Sequence, residues 1–247
     1  MKWRSLLLGS LLLLLLWQLL SWAINRPIVP PPLDILQTFV REMRGGELQT
    51  HFWVSSRRVI LAILLALVTG VPAGLALGQF RRLDRLLAPL IYVTYPAPKI
   101  VFLPIFILLF GLGDLSKVLI IAFVLFFQIL VVVRDEAANV RPEQLASVRS
   151  LGAGRLALLR FVYMPATLPA VLTAVRVSIG TAVAVLFFAE SIATRTGLGY
   201  YIINDAFARV AYKEVYAGVL AMSLLGLALY FLTDWAERRL APWMFVE

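Results

Sequence analysis

The sequence predicts an all-α integral membrane protein, a bundle of about six transmembrane helices forming one domain over residues 1–247. Two observations carry that expectation. Of the 247 residues, 61% are hydrophobic and only 15% charged, with a mean hydropathy of +0.88. A soluble globular domain runs nearer half apolar and a quarter charged. The apolar residues also fall into runs long enough to cross a bilayer, which takes roughly 20 residues of helix. The composition excludes much else. There is no cysteine, so disulfides, thiolate metal sites and a cysteine nucleophile drop out. The net charge of +9 is not read as nucleic-acid binding, because in a membrane protein basic residues collect at helix ends facing the cytoplasm and anionic headgroups.

The first apolar run, 6–24, follows Lys2 and Arg4. That pattern also opens a signal peptide, but the length of the run and its closing Trp22 favour an uncleaved span. Residues 25–58 read as an amphipathic outer segment. Pro27, Pro30, Pro31 and Pro32 break any helix there. Leu33, Leu36, Phe39, Val40 and Met43 then recur at helical spacing among Asp34, Gln37, Arg41 and Glu42, as in a helix lying on the membrane or on its neighbours.

Further spans are expected at 59–78, 86–110 and 118–133. The second of these holds Pro89, Pro96, Pro98 and Pro104. It must be kinked or partly unwound, which a membrane tolerates only where protein or a water-filled cavity covers the freed backbone. Gly70, Gly74 and Gly78 form a small-residue stripe suited to close helix packing. A polar stretch, 134–165, precedes the last two spans, 166–193 and 217–235, which flank an outer loop. Lys and Arg are in modest excess on the segments that are inner when the N-terminus is inside, so both termini and the 134–165 loop are expected in the cytoplasm.

Within that loop, Pro142 at a first helical position, Glu143 in the first turn and Gly152 just past the last turn are start and stop signals. Leu145, Val148 and Leu151 recur on one apolar face. The result is a short helix held on the cytoplasmic side, a knob suited to a groove on a soluble partner. A solvated loop helix without a partner fits the same periodicity.

Residues 145–169, with Gly152, Pro165 and Pro169, resemble the "EAA" loop of ABC-importer permeases. The blocks Tyr95-Pro-Ala-Pro-Lys99 through Gly113 and Ala189-Glu-Ser through Gly197-Leu-Gly-Tyr200 resemble the nitrate/sulfonate/taurine/bicarbonate branch of that family, and the order of the blocks matches along nearly the whole chain. The Glu-Ala-Ala positions fall on Ala146, Ser147 and Val148, so the acidic residue is missing. Glu136-Ala137-Ala138 stands at the wrong distance from Gly152.

The resemblance implies a type I ABC importer (MetI-like) permease fold in a bacterial inner membrane. It implies a homodimer of this chain, two cytoplasmic ATPase subunits using ATP and Mg, and a periplasmic or lipid-anchored binding protein. Leu145, Ala146, Ser147, Val148, Leu151, Gly152 and Ala153 would couple to the ATPase. The implied substrate is a small anion such as nitrate, a sulfonate, taurine or bicarbonate, with a pyrimidine or thiamine precursor as the alternative. The chain has no G-x-x-x-x-G-K-[ST], so it is expected to bind no ATP and to catalyse nothing on its own.

Ionisable residues inside expected spans are Lys99, Arg176 and Glu190. Each costs at least ~2.5–3.5 kcal/mol at a helix centre and should face protein or water. Lys99, beside Pro96 and Pro98, is a pathway candidate for attracting an anion, with snorkelling to the inner boundary as the other reading. Arg176 and Glu190 are further pathway candidates, and the structural reading is favoured for both, Glu190 tying down the outer loop. His51 has no second ligand nearby and is expected at the surface, with no metal site. Phe126, Phe127, Phe187 and Phe188 read as packing or lipid contacts. A secondary transporter or channel would need ion-coupling carboxylates and repeated halves, and a membrane enzyme would need clustered His, Asp or Glu at depth. Neither pattern is seen.

Overall fold

A computed structural model describes residues 3–192 and 194–244, with side chains from Leu8 onward. Lys2, the Arg4 side chain and the expected span end at Ala193 lie outside what is described. Helix α1 (Trp3–Ile24) is followed by a turn with Asn25 at φ +45° and by α2 (Pro32–Gly45), which opens on Pro32 where no amide donor is needed. Helix α3 (Leu48–Gln79) follows. Then come α4 (Arg81–Thr94), a 3-10 turn (Lys99–Phe102) and α5 (Leu103–Phe110), the two arms bent by 87°. Helix α6 spans Asp114–Ala138 and α7 spans Pro142–Ser150. Helix α8 (Arg155–Leu158) runs through a π-helical turn (Leu159–Tyr163) into α9 (Met164–Ser191). Helix α10 (Leu198–Tyr200) runs into a second π-helical stretch (Tyr201–Phe207), and α11 spans Tyr212–Leu240.

Among the described residues, α3, α6, Arg155–Ser191 and α11 are each long and apolar enough to cross a membrane, and the bent pair makes a fifth span. The apolar stretch of helix α1, Leu8–Ile24, is shorter than the roughly 20 residues a span takes, so the described residues show four or five of the six expected spans. The span at 86–110 is broken as its prolines require. One expected boundary is wrong. Residues 48–58, expected in the outer segment, are the first turns of α3. They carry no proline or glycine, and the polar His51, Ser55, Ser56 and Arg58 are buried.

The chain forms two compact units, 1–56 with 190–225 and 57–189 with 226–247. In the second unit the glycine stripe of α3 lies against α6. A Cβ on Gly74 would stand 2.7 Å from the Val133 Cβ and 2.8 Å from the Leu130 carbonyl, and one on Gly78 would stand 2.5 Å from the Ala137 Cβ. The two backbones approach this closely because those positions carry no side chain. Leu77, Ile91 and Leu130 form a buried cluster beside this contact. Phe123 gathers Phe102, Phe106 and Phe127 around itself, with ring centroids 6.1, 5.7 and 5.3 Å away. In the first unit the 201–207 stretch packs on α11, where a Cβ on Gly218 would meet Ile202 at 2.6 Å.

Gly74→Leu should therefore force α3 away from α6 and destabilise the protein by about 1–3 kcal/mol or more. The check is thermal unfolding in mild detergent. Gly180→Leu, at a glycine whose added Cβ meets nothing within 4 Å, is the control expected to change little.

Candidate functional site

The loop helix α7 is built as its sequence signals require. Arg141 is extended at φ −60°, ψ 133° and its carbonyl accepts from Gln144 and Leu145 at 3.1 and 3.4 Å. Pro142 starts the helix. At the other end the Gly152 N–H donates to the Arg149 carbonyl at 2.9 Å with Gly152 at φ +82°. A Cβ on Gly152 would meet nothing within 4 Å, so the left-handed backbone alone calls for glycine here. Gly154 is extended, and α8 restarts from it.

No residue of α7 is buried. Ala146 and Ser147 are exposed, while Leu145, Val148 and Ala153 are half-buried. Leu151 is 85% exposed. Val148, with Glu143 and Ser147, lines a cleft of about 600 Å³ against Phe161, Pro165 and Trp243. The expected single apolar face is therefore divided. Val148 borders a cleft within the chain, and Leu151 is left to the outside.

The broken span holds Lys99, which is 9% exposed. Its ammonium donates to the Tyr95 carbonyl at 2.7 Å and reaches the Ala97 carbonyl at 3.5 Å. It also stands 4.8 Å from the Phe127 ring centroid and 5.4 Å from that of Tyr95. Pro96 and Pro98 contribute no amide donors at the break, so the lysine supplies one to carbonyls that a continuous helix would have bonded itself. Arg176 pairs with Glu237 and, at 3.3 Å, with Asp234, its guanidinium 5.8 Å from the Tyr230 ring. Asp234 also holds Arg238 at 3.0 Å.

Sequence reasoning missed most of these partners. Lys99, Arg176 and Glu190 are not the only ionisable groups on the apolar helices. Asp234 and Glu237 stand three residues apart on one side of α11, and Asp234 already fell inside the expected span 217–235. Asp114 on α6 accepts from both Arg57 and Arg58, the latter at 2.6 and 2.8 Å. Asp84 accepts from Arg134 at 2.5 and 3.0 Å. Asp234, Glu237, Asp114 and Asp84 are each matched by a base, which is how such groups are accommodated in a membrane protein.

In the other unit Glu190 is fully buried. The Ser55 hydroxyl donates to its carboxylate at 2.7 Å, and the Gly199 N–H donates to the same oxygen at 3.2 Å. The Leu198 N–H donates to the Ser55 oxygen at 2.8 Å, and the Gly197 N–H donates to His51 Nδ1 at 3.0 Å. Three consecutive amides at the start of the 198–207 helical stretch are thus satisfied by side chains. These are the donors a helix start leaves without partners. Gly197, at φ +113°, would place a Cβ 2.3 Å from the Glu190 carboxyl carbon. Glu190 and Gly197 consequently belong to one construction, and Glu190 ties down the loop that follows α9. His51 is corrected. It is only 6% exposed, an acceptor in this hub with its ring 5.7 and 5.6 Å from those of Tyr200 and Tyr201. The missed signal is local: His51 and Ser55 lie four residues apart, on one face of a helix.

A model of the family described as "Binding-protein-dependent transport system inner membrane component" matches residues 60–246. The chain is 30% identical to the taurine transport system permease protein TauC of Escherichia coli, over 98% of this chain and 94% of that protein. It is 28% identical to the putative aliphatic sulfonates transport permease protein SsuC of Bacillus subtilis, over 98% and 88%. It is 26% identical to the formylaminopyrimidine transport permease protein ThiX of Halalkalibacterium halodurans, over 94% and 93%. Among solved structures, a chain of the inward-facing MetNI methionine ABC transporter superposes with a TM-score of 0.66 at 17% identity, covering 80% of this chain and 97% of that one.

Ser55→Ala should leave the Leu198 amide without its acceptor and Glu190 without one donor. A loss of about 1–3 kcal/mol is expected, read as a lower unfolding midpoint in detergent. Ser56→Ala, whose hydroxyl bonds the Phe52 carbonyl of its own helix at 2.7 Å, should change that midpoint far less.

Proposed function

The chain belongs to the family of binding-protein-dependent transport system inner membrane components and is the permease subunit of an ABC importer; on that footing we propose that the importer carries small sulfonates, with taurine or an alkanesulfonate as substrate. The observation that carries the substrate class is the likeness to the taurine and aliphatic-sulfonate permeases over nearly the whole chain. The formylaminopyrimidine reading rests on a lower identity. Such an importer works with an ATPase and a substrate-binding protein. In this proposal two copies of the chain form the pathway, with both termini and the 134–165 loop in the cytoplasm. Two ATPase subunits there use ATP and Mg, and this chain binds neither.

Coupling follows from the geometry of α7. The helix is unburied and held at both ends by chain entering the membrane domain. In this reading it seats in a groove of the ATPase with Leu151 as the apolar contact. Ala146 and Ser147 stand where the family pattern has acid and alanine, so shape and apolar contact dominate docking. Gly152 fixes the direction in which the chain leaves the knob. Arg176 and Glu190 have structural roles here, because each is already engaged by its own partners. The break at Pro96 and Pro98 lines the pathway, and Lys99 meets the anion there, its ammonium leaving the Tyr95 carbonyl for the sulfonate.

The decisive experiment is uptake of radiolabelled taurine into proteoliposomes holding this chain, its ATPase and its binding protein. ATP-dependent taurine accumulation is expected, and accumulation of formylaminopyrimidine instead would overturn the substrate class. In the same system Gly152→Val places a β-branched residue where the left-handed backbone costs it about 1–2 kcal/mol or more. Folded protein and basal ATP hydrolysis should persist, while uptake falls and hydrolysis no longer responds to the loaded binding protein. Normal stimulated uptake by Gly152→Val would refute the coupling role.

Lys99→Met keeps the stem and removes the charge. At fixed occupancy of the binding protein its taurine uptake should fall about tenfold, about 1.4 kcal/mol. A residue that only caps the break would lower the yield of folded protein and leave uptake per folded molecule unchanged.

A further inference from the structure

Helix α11 ends at Leu240 and is followed by a 3-10 turn, Pro242–Met244. The turn has a firm root. Ala241 is fully buried and its N–H donates to the Glu237 carbonyl at 2.9 Å, while the Met244 N–H donates to the Ala241 carbonyl at 3.2 Å. Glu237 in turn pairs with Arg176 on α9. The base of the turn is therefore fixed to α9, and Trp243 projects from it. That tryptophan lines two cavities at once. One is the cleft of about 600 Å³ beside α7, whose walls include Glu143, Gln144, Val148, Phe161 and Pro165. The other, of about 590 Å³, is bordered by Val71 and Leu75 of α3 and by Leu168 and Val171 of α9. Pro165 also borders both, so Trp243 and Pro165 are the shared wall between the loop helix and the packed membrane helices.

A helix of nine residues, the length of α7, is marginal in water by itself and needs tertiary support. Helix α7 buries none of its own residues. Across the cleft it faces Phe161, Pro165 and Trp243. Trp243 is 51% exposed and Phe161 66% exposed. Both rings still have apolar surface to lose, and the cleft leaves room for the helix to come down on them. A rigid ring offers a large contact area with few torsions to freeze, which suits it to bear a load.

On the reading of α7 as the coupling helix, we propose that Trp243 is its seat. It is a positioning residue on which α7 closes when the ATPase drives the helix towards the membrane domain, and through which the push passes to α3 and α9. Without the ring the cleft loses a wall, and α7 swings on the turns at its two ends without moving the spans. The Arg176–Glu237 pair serves the same end, because it holds the root of the turn against α9 while Trp243 bears the load.

In the reconstituted importer Trp243→Ala should keep ATPase binding and basal hydrolysis, since Leu151 and Gly152 are untouched, while taurine transported per ATP falls about tenfold. Trp243→Phe retains a ring and should stay within about twofold of the parent chain. Less folded importer with unchanged transport per ATP would mark a merely structural residue and overturns the proposal. Unchanged transport per ATP in Trp243→Ala beside an uncoupled Gly152→Val overturns the seat and leaves the coupling role of α7 standing. Normal coupling in both variants removes both. A second measurement keeps Trp243 in place and needs no transported substrate. The chain has no cysteine, so bimane attached to Gln144→Cys before assembly is its single reporter, and contact with an indole quenches it. Trapping the ATPase with vanadate should lower the emission, and Trp243→Phe should abolish the drop. Emission independent of the trapped state, or a drop that persists in Trp243→Phe, overturns the proposal.

Discussion

A backbone inside hydrocarbon has no water to bond, so every amide and carbonyl freed from a helix needs another partner. Much of what is distinctive in this chain follows from where its helices stop and what replaces the lost bonds. At the broken span the Lys99 ammonium reaches back to the Tyr95 and Ala97 carbonyls. At the loop after α9, His51, Ser55 and Glu190 take three successive amides. The loop helix α7 provides the contrast. None of its residues is buried, so the amides of its first turn are not enclosed by other parts of the chain.

The charged side chains obey a related rule. An isolated charge at depth is costly, and a paired one is tolerated without adding much net stability. Arg134 with Asp84, Arg58 with Asp114, and Arg176 with Glu237 each tie one helix to another within the larger unit. Removing one member would strand the other, so the pairs act mainly as constraints on which helices meet. Exposed pairs such as Arg209 with Asp205 carry no such penalty and contribute little.

What was legible in the sequence was local. Apolar run length gave the spans, proline spacing gave the broken helix, and Pro142 and Gly152 bounded α7 because start and stop signals act within a turn or two. The stripe Gly70, Gly74 and Gly78 announced close packing, though not that α6 was the partner. What failed depended on distant residues. The first turns of α3 looked like a polar outer segment because His51 and Ser55 find their partners near positions 190–199, far along the chain. Asp234 and Glu237 gain a role only with Arg176, far along the chain, beside them. The family resemblance supplied Glu190 and Gly197 as members of one block without a reason for their company. The reason is steric: the carboxylate occupies the space that a Cβ on Gly197 would fill.

Three glycines show why such a pattern has to be interpreted position by position. Gly74 is required by crowding alone, with Val133 and the Leu130 carbonyl against it. Gly152 is required by backbone conformation alone, since the space around it is empty. Gly197 is required by both, its φ of +113° and the carboxylate of Glu190 each excluding a side chain. The consequences differ in kind. Crowding at Gly74 is felt through helix packing and therefore through stability of the membrane domain. Conformation at Gly152 is felt in the direction taken by a water-exposed loop, which the spans do not feel. A surface loop can absorb that strain with little loss of fold, so the residue type that is architectural at Gly74 is compatible at Gly152 with the proposed coupling role.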